Sequence, residues 1–594
     1  MGKLEKAVAD ATPSNGDAAP PSYNDAGTIG ITSEDIDQLN SAFTSLSVPL
    51  IADEVTIDTC LAHLKLLFAF QTLKETIGYT DGLWQIYDSR VFPDKKSAQV
   101  LQNAEQLNDE TKKNLSLLRE KRWALYVARA ADRYEAWWNS FSTDPLTENE
   151  MADESPKYNR FADPPPKLEG HAWDSTKLPP LDVLMVWHAH MLNPRAYFED
   201  CMRRGLKELW HLGMPWQLVN DAIDTQFDYN VSFECMARWE ETTNRKWDNV
   251  DDPFTKVLPP CPECNTPNVV PWSTCGKPED SHDGLSSIDG QGYGDADFWT
   301  NCATCGKRLK RDYLEVSQFA ADVKRLLSHE HPMPGTLLET RTGLATRLPV
   351  YEASRDRYQR TFPNRLIRYH LRTQLYDPQP ASMDEIRAII ERAMYDSDAI
   401  KKAERVTDKE KSKSYRLGQE ARIQVRKMMS RYWGNSSPFA LELGGAVVRQ
   451  SIFTEKMYKM DWLHSPAARE TMARLITKYG RFLDIMGKAR NQIAVPTLDI
   501  DLAWHTHQLS PASYYKLTLS KTKRFIDHDD KIDENKLSIA FEWTSRVYQE
   551  FYGEVYSECT CWYCESVRTS HTSSLADRLP IFKSEKGKGI PARI

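Results

Sequence analysis

No stretch of this chain approaches the run of about 18 apolar residues that a membrane span requires. The opening Met1-Gly-Lys-Leu-Glu-Lys-Ala also lacks the apolar segment of a signal peptide. A cytosolic or nuclear protein without a membrane partner is the expectation. Positive charge is not in excess either: 84 acidic against 76 basic side chains give a net charge of -8, so no global basic footprint for nucleic acid is expected. A disulfide framework is missing as well. The 11 cysteines are odd in number, and eight of them fall into two tight local groups rather than being spread along the chain, which points to metal in a reducing compartment. Bulky apolar residues are nearly absent from residues 1 to about 30, a composition that cannot offset ordering entropy and reads as a disordered tail.

What remains is ample. A length of 594 residues allows several domain-sized cores. Thr32-Ser33-Glu34-Asp35 reads as an N-cap with an acidic first turn, followed by Ile36, Leu39 and Phe43 at helical spacing. Leu61, Leu64 and Phe68 repeat that pattern, and a longer amphipathic stretch covers Leu115 to Phe141. Residues 142–180 are polar and proline-rich and read as a surface connection. Residues 400–431 mix both charge signs without an apolar block and read as a solvated helix or linker.

One signature occurs twice. Asp182-Val-Leu-Met-Val-Trp187-His188-Ala-His190 with Pro194 and Tyr197 returns 317 residues later as Asp499-Ile-Asp-Leu-Ala-Trp504-His505-Thr-His507 with Pro511 and Tyr514. His211 follows His188 by 23 residues, and His528 follows His505 by the same interval. Internal duplication accounts for this agreement. Asn193-Pro194 and Ser510-Pro511 are N-cap plus first-turn pairs, so each signature reads as a short helix, a turn and the start of another helix. Side chains two apart on a helix point about 200° away from each other, which disfavours both histidines of His-x-His sharing one ion. The structural reading, with the tryptophans as core anchors and the histidines bonding at a helix corner, is preferred. The rival sets, His188/His190/His211 and His505/His507/His528, would be three-histidine metal sites, with Asp182 or Asp499 as ligand or support.

Cys261-Pro-Glu-Cys264 and Cys302-Ala-Thr-Cys305-Gly306 form a C-x2-C pair of pairs separated by 37 residues. Thiolates two residues apart on a tight turn can face one ion, and two such turns complete a structural zinc site of the zinc-ribbon type. Gly306 suits the left-handed position after such a turn. Cys275 and His282, in the intervening loop, are alternative ligands. Cys559-Thr-Cys561-Trp-Tyr-Cys564, with His571 as a possible fourth ligand, is a candidate second site.

The run from Leu443-Gly-Gly-Ala446 and Arg449-Gln450-Ser451 through Tyr479-Gly-Arg481-Phe482 to Val495-Pro-Thr-Leu-Asp499-Ile-Asp501-Leu-Ala-Trp504-His505-Thr-His507 and His528-Asp529-Asp530 resembles the glycine-rich domain-containing protein-like family of plants and fungi. The resemblance implies stress or hormone signalling, with RNA binding suggested for some plant members and dioxygenase labels on some fungal ones. With only 26 glycines, this chain lacks the tract that names the family. Its His-Ala-His and His-Thr-His pairs also depart from the His-x-Asp or His-x-Glu of an iron-binding triad.

The expected fold is mainly α: internally duplicated helical repeat units with a small four-cysteine, zinc-ribbon-like insertion. Its divisions are a tail at 1–30, a first unit at 31–250, the insert at 251–314, a helical and charged connection at 315–435, a second unit at 436–558 and a Cys-rich turn with polar tail at 559–594. The expected function is that of a zinc-containing binding or scaffold protein without turnover, engaging an unidentified protein partner. The alternatives are a metal-dependent hydrolase or oxygenase built on the histidines, and a nucleic-acid binder acting through the zinc-ribbon-like insert with its Lys307, Arg308, Lys310 and Arg311.

Overall fold

The structure is a computed structural model that describes residues 46–92, 107–165, 173–278, 288–348, 359–375, 380–404, 416–490, 492–528, 534–561 and 564–565. The chain divides into two units, Met1–Leu46 and Ser47–Ile594, and every element named below belongs to the second. The expected tail, the helix expected at Ile36 to Phe43, His282 and His571 lie outside the described residues.

The fold is mainly α. Ile57–Tyr79 forms α1, started by a capping box in which the Thr59 amide donates to Thr56 Oγ1 at 3.1 Å and the Thr56 amide donates to Thr59 Oγ1 at 2.9 Å. Every residue of α1 from Thr59 to Gln71 is buried, and a helix buried on all sides needs neighbours all round. α2 (Asp109–Ser140) provides one wall. The first signature gives α3 (Leu181–Met191) and α4 (Pro194–Arg204), followed by α5 (Lys207–Leu212), α6 (Trp216–Ala222) and α7 (Phe233–Thr243).

Two antiparallel hairpins come next. β1 (Thr255–Val257) pairs with β2 (Val269–Pro271), with Lys256 opposite Val270, and β3 (Trp299–Asn301) pairs with β4 (Arg308–Lys310), with Thr300 opposite Leu309. Leu258, Val270, Phe298, Leu309 and Leu314 form their small core. α8 (Arg311–His329) leads from β4 into a second core, shared with α9 (Phe362–Leu366), α10 (Met383–Tyr395), α11 (Ser397–Ala403) and α12 (Gln419–Ser430).

The last third holds the second signature. α13 (Leu443–Met460), α14 (Ala468–Lys488), the second signature as α15 (Leu498–Gln508) and α16 (Pro511–Thr522), and α17 (Glu534–Tyr552) follow. α1 packs against α2, α6, α13, α14 and α15, so helices from both ends of the chain enclose it. Gly213, at φ 57° and ψ -154°, lets the segment after α5 run against the second signature. The Met214 amide donates to Leu509 O at 2.9 Å, and a Cβ on Gly213 would lie 2.8 Å from that same carbonyl oxygen.

Two expectations are corrected. Within residues 142–180, Leu146, Met151, Tyr158, Phe161, Trp173 and Leu178 are buried, so the segment is not simply a surface connection. Tyr158 donates to Leu337 O at 2.6 Å and the Leu348 amide donates to Met151 O at 2.9 Å, partners far along the chain that local composition does not reveal. Residues 419–430 are likewise not a solvated linker. Ala421, Val425, Met428 and Met429 of α12 follow helical spacing and enter the second core, a stripe that the surrounding charges conceal.

Candidate metal centres

The two C-x2-C turns meet. Cys261 Sγ lies 3.7 Å from Cys305 Sγ, Cys264 Sγ lies 3.5 Å from Cys302 Sγ, and all four sulfurs fall within 4.8 Å of one another. Thiolates about 2.3 Å from a tetrahedral ion would be separated by about 3.8 Å, so the cluster suits one ion with little adjustment. The turns are built alike. Gly306 at φ 72° donates its amide to Cys302 O at 2.9 Å, and Asn265 at φ 57° donates to Cys261 O at 2.8 Å. Asn265 thus occupies the left-handed place that glycine fills in the other turn. Amides of Cys305 and Thr304 aimed at Cys302 lower its thiol to about 6, favouring the thiolate that binds metal. Cys275 stands apart, accepting from Ser273 Oγ at 2.8 Å and packed with Ile86, Leu118 and Leu125. The same loop is tied to α2, where Lys121 Nζ pairs with Asp295 at 2.7 Å.

Cys559, Cys561 and Cys564 also gather, with all three sulfurs within 4.8 Å and Cys559 Sγ 3.6 Å from Cys561 Sγ. Mutual sulfur contacts hold the Cys564 thiol up at about 12. These three sulfurs could hold a metal ion, and no fourth candidate ligand joins them among the described residues.

In the signatures, the second histidine of each His-x-His serves the framework. His190 Nδ1 lies 3.0 Å from Tyr134 OH and its Nε2 lies 3.1 Å from Asp200, while His507 Nδ1 lies 2.9 Å from Tyr479 OH and its Nε2 lies 3.2 Å from Ser513 Oγ. Trp187 donates to Tyr197 OH at 3.0 Å and Trp504 donates to Tyr514 OH at 2.8 Å. Asp182 accepts from Arg133 at 2.7 Å and Asn249 at 2.8 Å, whereas Asp499 accepts from Lys478 at 2.5 Å. Both aspartates are engaged as supports for their helices.

The first histidines point inward and find different partners. His188 Nε2 lies 2.9 Å from Nε2 of His63 on α1, and His63 Nδ1 lies 2.9 Å from Thr506 Oγ1. The Thr506 hydroxyl donates to Leu502 O at 2.7 Å, so its oxygen must accept from His63 Nδ1–H. His63 Nε2 is then a bare lone pair that accepts from His188 Nε2–H. Burial, then the neighbouring His188, hold His63 well below its ordinary value, and burial lowers His188 to about 3, so this pair is neutral. His211 is not part of it: its Nε2 bonds Phe161 O at 3.1 Å.

His505 has a separate set of partners. Its Nε2 is 3.1 Å from His528 Nε2 and 3.3 Å from Asp501 Oδ1, and His528 Nε2 is 3.9 Å from that same oxygen. Asp501 and His505 are one helical turn apart and share a face of α15, as the i, i+4 spacing dictates. Asp501 Oδ1 is buried without a hydrogen-bond partner, and desolvation raises its carboxyl to about 6. Burial, then His528 and the more distant His63 and His188, hold His505 well below its ordinary range. The structure therefore brings His528 to His505 but sends His507 elsewhere, and it adds Asp501, for which the signal was the Asp-x3-His spacing. His63 carried no signal, being a single histidine in an apolar helix.

Comparison with known proteins follows these positions. The family described as Glycine-rich domain-containing protein-like matches residues 78–200 and 383–516, blocks that hold both signatures and Asp501 but neither cysteine group, His63 nor His528. Glycine-rich domain-containing protein 1 of Arabidopsis thaliana is 32% identical over 123 residues, covering 19% of this chain and 14% of the relative. Glycine-rich domain-containing protein 2 of the same plant is 32% identical over 119 residues, covering 19% of this chain and 15% of the relative. The chain thus spans about one seventh of the length of these curated relatives. No solved structure matches. The two matched blocks carry both signatures, so the chain is similar to the glycine-rich domain-containing protein-like family over those residues, less than half of its length.

Proposed function

We propose that this protein is a zinc-stabilised helical binding protein without turnover of its own, recognising a protein partner. The observation that carries the reading is the closed Cys261/Cys264/Cys302/Cys305 cluster. Four thiolates fill a tetrahedral ion's coordination and leave no position for water or substrate, so the zinc is structural. A module this small gains most of its folding free energy from such an ion.

The surface beside the cluster favours protein over nucleic acid. Three of the four basic residues there are engaged: Lys307 pairs with Glu263 at 2.9 Å, the Arg308 guanidinium lies 4.5 Å from the centre of the Trp299 ring, and Arg311 donates to Tyr293 O at 2.9 Å and Asp295 O at 2.8 Å, while Lys310 is exposed. That leaves little charge aimed at phosphate. Val257 and Val269, cross-strand neighbours on the β1–β2 hairpin, are 60% and 64% exposed and offer an apolar contact instead. Stress or signalling roles fit such an adaptor.

Metal analysis and fluorescence anisotropy test this reading together. One equivalent of zinc lost in Cys261→Ser, with no saturable binding of single-stranded RNA or duplex DNA at low salt, is expected. Zinc content unchanged by Cys261→Ser, or nucleic-acid binding that weakens steeply with salt, would overturn it.

A further inference from the structure

We infer that Asp501, His505 and His528 form a second metal site of different chemistry, taking a divalent first-row transition ion through one carboxylate oxygen and two imidazole nitrogens. The site is independent of the cysteine cluster and adds a coordination centre that the binding-protein reading does not contain.

The geometry is the first support. Separations of 3.1, 3.3 and 3.9 Å define a triangle whose corners are all about 2.0 Å from one central point. Ligand distances of about 2.0–2.2 Å to His nitrogen and carboxylate oxygen match that radius. Three donors nearly in one plane with the ion leave positions above and below that plane open to an exogenous ligand.

The chemistry is the second support. Asp501 Oδ1 can only accept when ionised, yet it is buried with no hydrogen bond and faces two Nε2 atoms. One cation at the centre would satisfy all three atoms at once. Lys456 is close enough to act on Asp501 electrostatically, but it makes no ion pair with it among the described residues. Neither outer Nδ1 has a hydrogen-bond partner, so packing orients the rings: Phe453 lies 4.5 Å from His505 and Trp504 lies 5.3 Å from His528, centre to centre.

The first signature supplies an internal contrast. Leu184 stands where α15 carries Asp501, His211 is turned to Phe161 O, and His188 is completed by the hydrogen-bonded chain through His63 to Thr506. Every Nε2 in that chain has a donor or acceptor role, so it needs no ion. The second signature has the same first histidine and its own Nε2–Nε2 contact at 3.1 Å, but there a carboxylate stands one turn before, and neither Nδ1 nor the carboxylate Oδ1 has a partner to complete the chain.

Cobalt(II) titration of the full-length protein separates this site from the thiolate sites. Thiolate ligation produces strong sulfur-to-cobalt charge-transfer absorption, whereas a carboxylate and imidazole site does not. The wild type should bind one equivalent of cobalt without that absorption. Asp501→Leu and His528→Gln should each lose that equivalent while retaining the thiolate bands, which also report a folded insert, and His507→Gln should retain both. The inference fails if the wild type binds no such equivalent, if both Asp501→Leu and His528→Gln retain it, or if His507→Gln loses it with the thiolate bands intact. Cys261→Ser should remove only thiolate-bound metal, so failure of the zinc reading and failure of this one are distinguishable.

Discussion

His63 and Thr506, 443 residues apart in sequence, are joined by a buried hydrogen bond of 2.9 Å from His63 Nδ1 to Thr506 Oγ1. The contact fixes the His63 tautomer, and through it the direction of the His63–His188 bond, so one hydroxyl on the second signature sets the proton arrangement beside the first. Thr506→Val keeps the shape and removes the acceptor. It should lower unfolding free energy by about 1–3 kcal/mol, the cost of a buried donor left unsatisfied. Urea denaturation measures this, and a loss below about 0.5 kcal/mol would show that the donor finds another partner.

The neutral His63–His188 pair makes stability pH-dependent with a definite sign. Both groups are held below the ordinary imidazole range in the folded state, His188 at about 3, while the unfolded imidazole takes a proton near 6.5. The unfolded chain therefore binds more protons at low pH, and this contribution is complete above pH 6.5 and declines from there towards about 3. At pH 5 the loss is about 2 kcal/mol for one such imidazole. Urea midpoints at pH 7 and pH 5 should differ less in His188→Gln than in the wild type, and equal slopes would contradict the assignment.

Tyr134 and Tyr479 do the same work in the two signatures, each placing a hydroxyl about 3 Å from Nδ1 of the second histidine. Tyr134→Phe and Tyr479→Phe should each cost about 1–2 kcal/mol and should agree within about 0.5 kcal/mol. Thermal or chemical denaturation of the two variants gives the comparison, and a large difference would mean that the matched geometry is not matched in energy.

Asp499 and Lys478 form a buried pair at 2.5 Å, with Tyr556 O as the other acceptor of the ammonium, at 3.1 Å. Asp499→Ala strands the cation and should cost about 3–5 kcal/mol. The double replacement Asp499→Leu with Lys478→Met should recover much of that, because removing both charges removes their desolvation cost. Stability of the double variant no better than that of Asp499→Ala would refute this account.

What was legible in the sequence followed the range of each interaction. The cysteine pairs were readable because each turn is local, down to the left-handed Gly306, although Asn265 in the same role carries no such mark. Helical period likewise revealed α1 and α2, and the 200° rule separates His505 from His507 on spacing alone. Asp501 was readable in principle through its i, i+4 relation to His505, but the repeated His-x-His is the louder signal beside it. His63 was not readable at all. Its partners lie 125 and 443 residues away, and neither periodicity nor composition marks a lone histidine in an apolar helix. α12 was hidden for the opposite reason, since its apolar stripe was diluted by charges that face solvent.

The enclosure of α1 has a consequence for synthesis of the chain. α1 leaves the ribosome early, yet α15, one of the helices that covers it, starts at Leu498, some 440 residues later. At about 5–20 residues per second, an apolar helix waits roughly 20–90 s for its last wall. During that interval the nascent protein carries an apolar segment whose last shield is a helix still to be made.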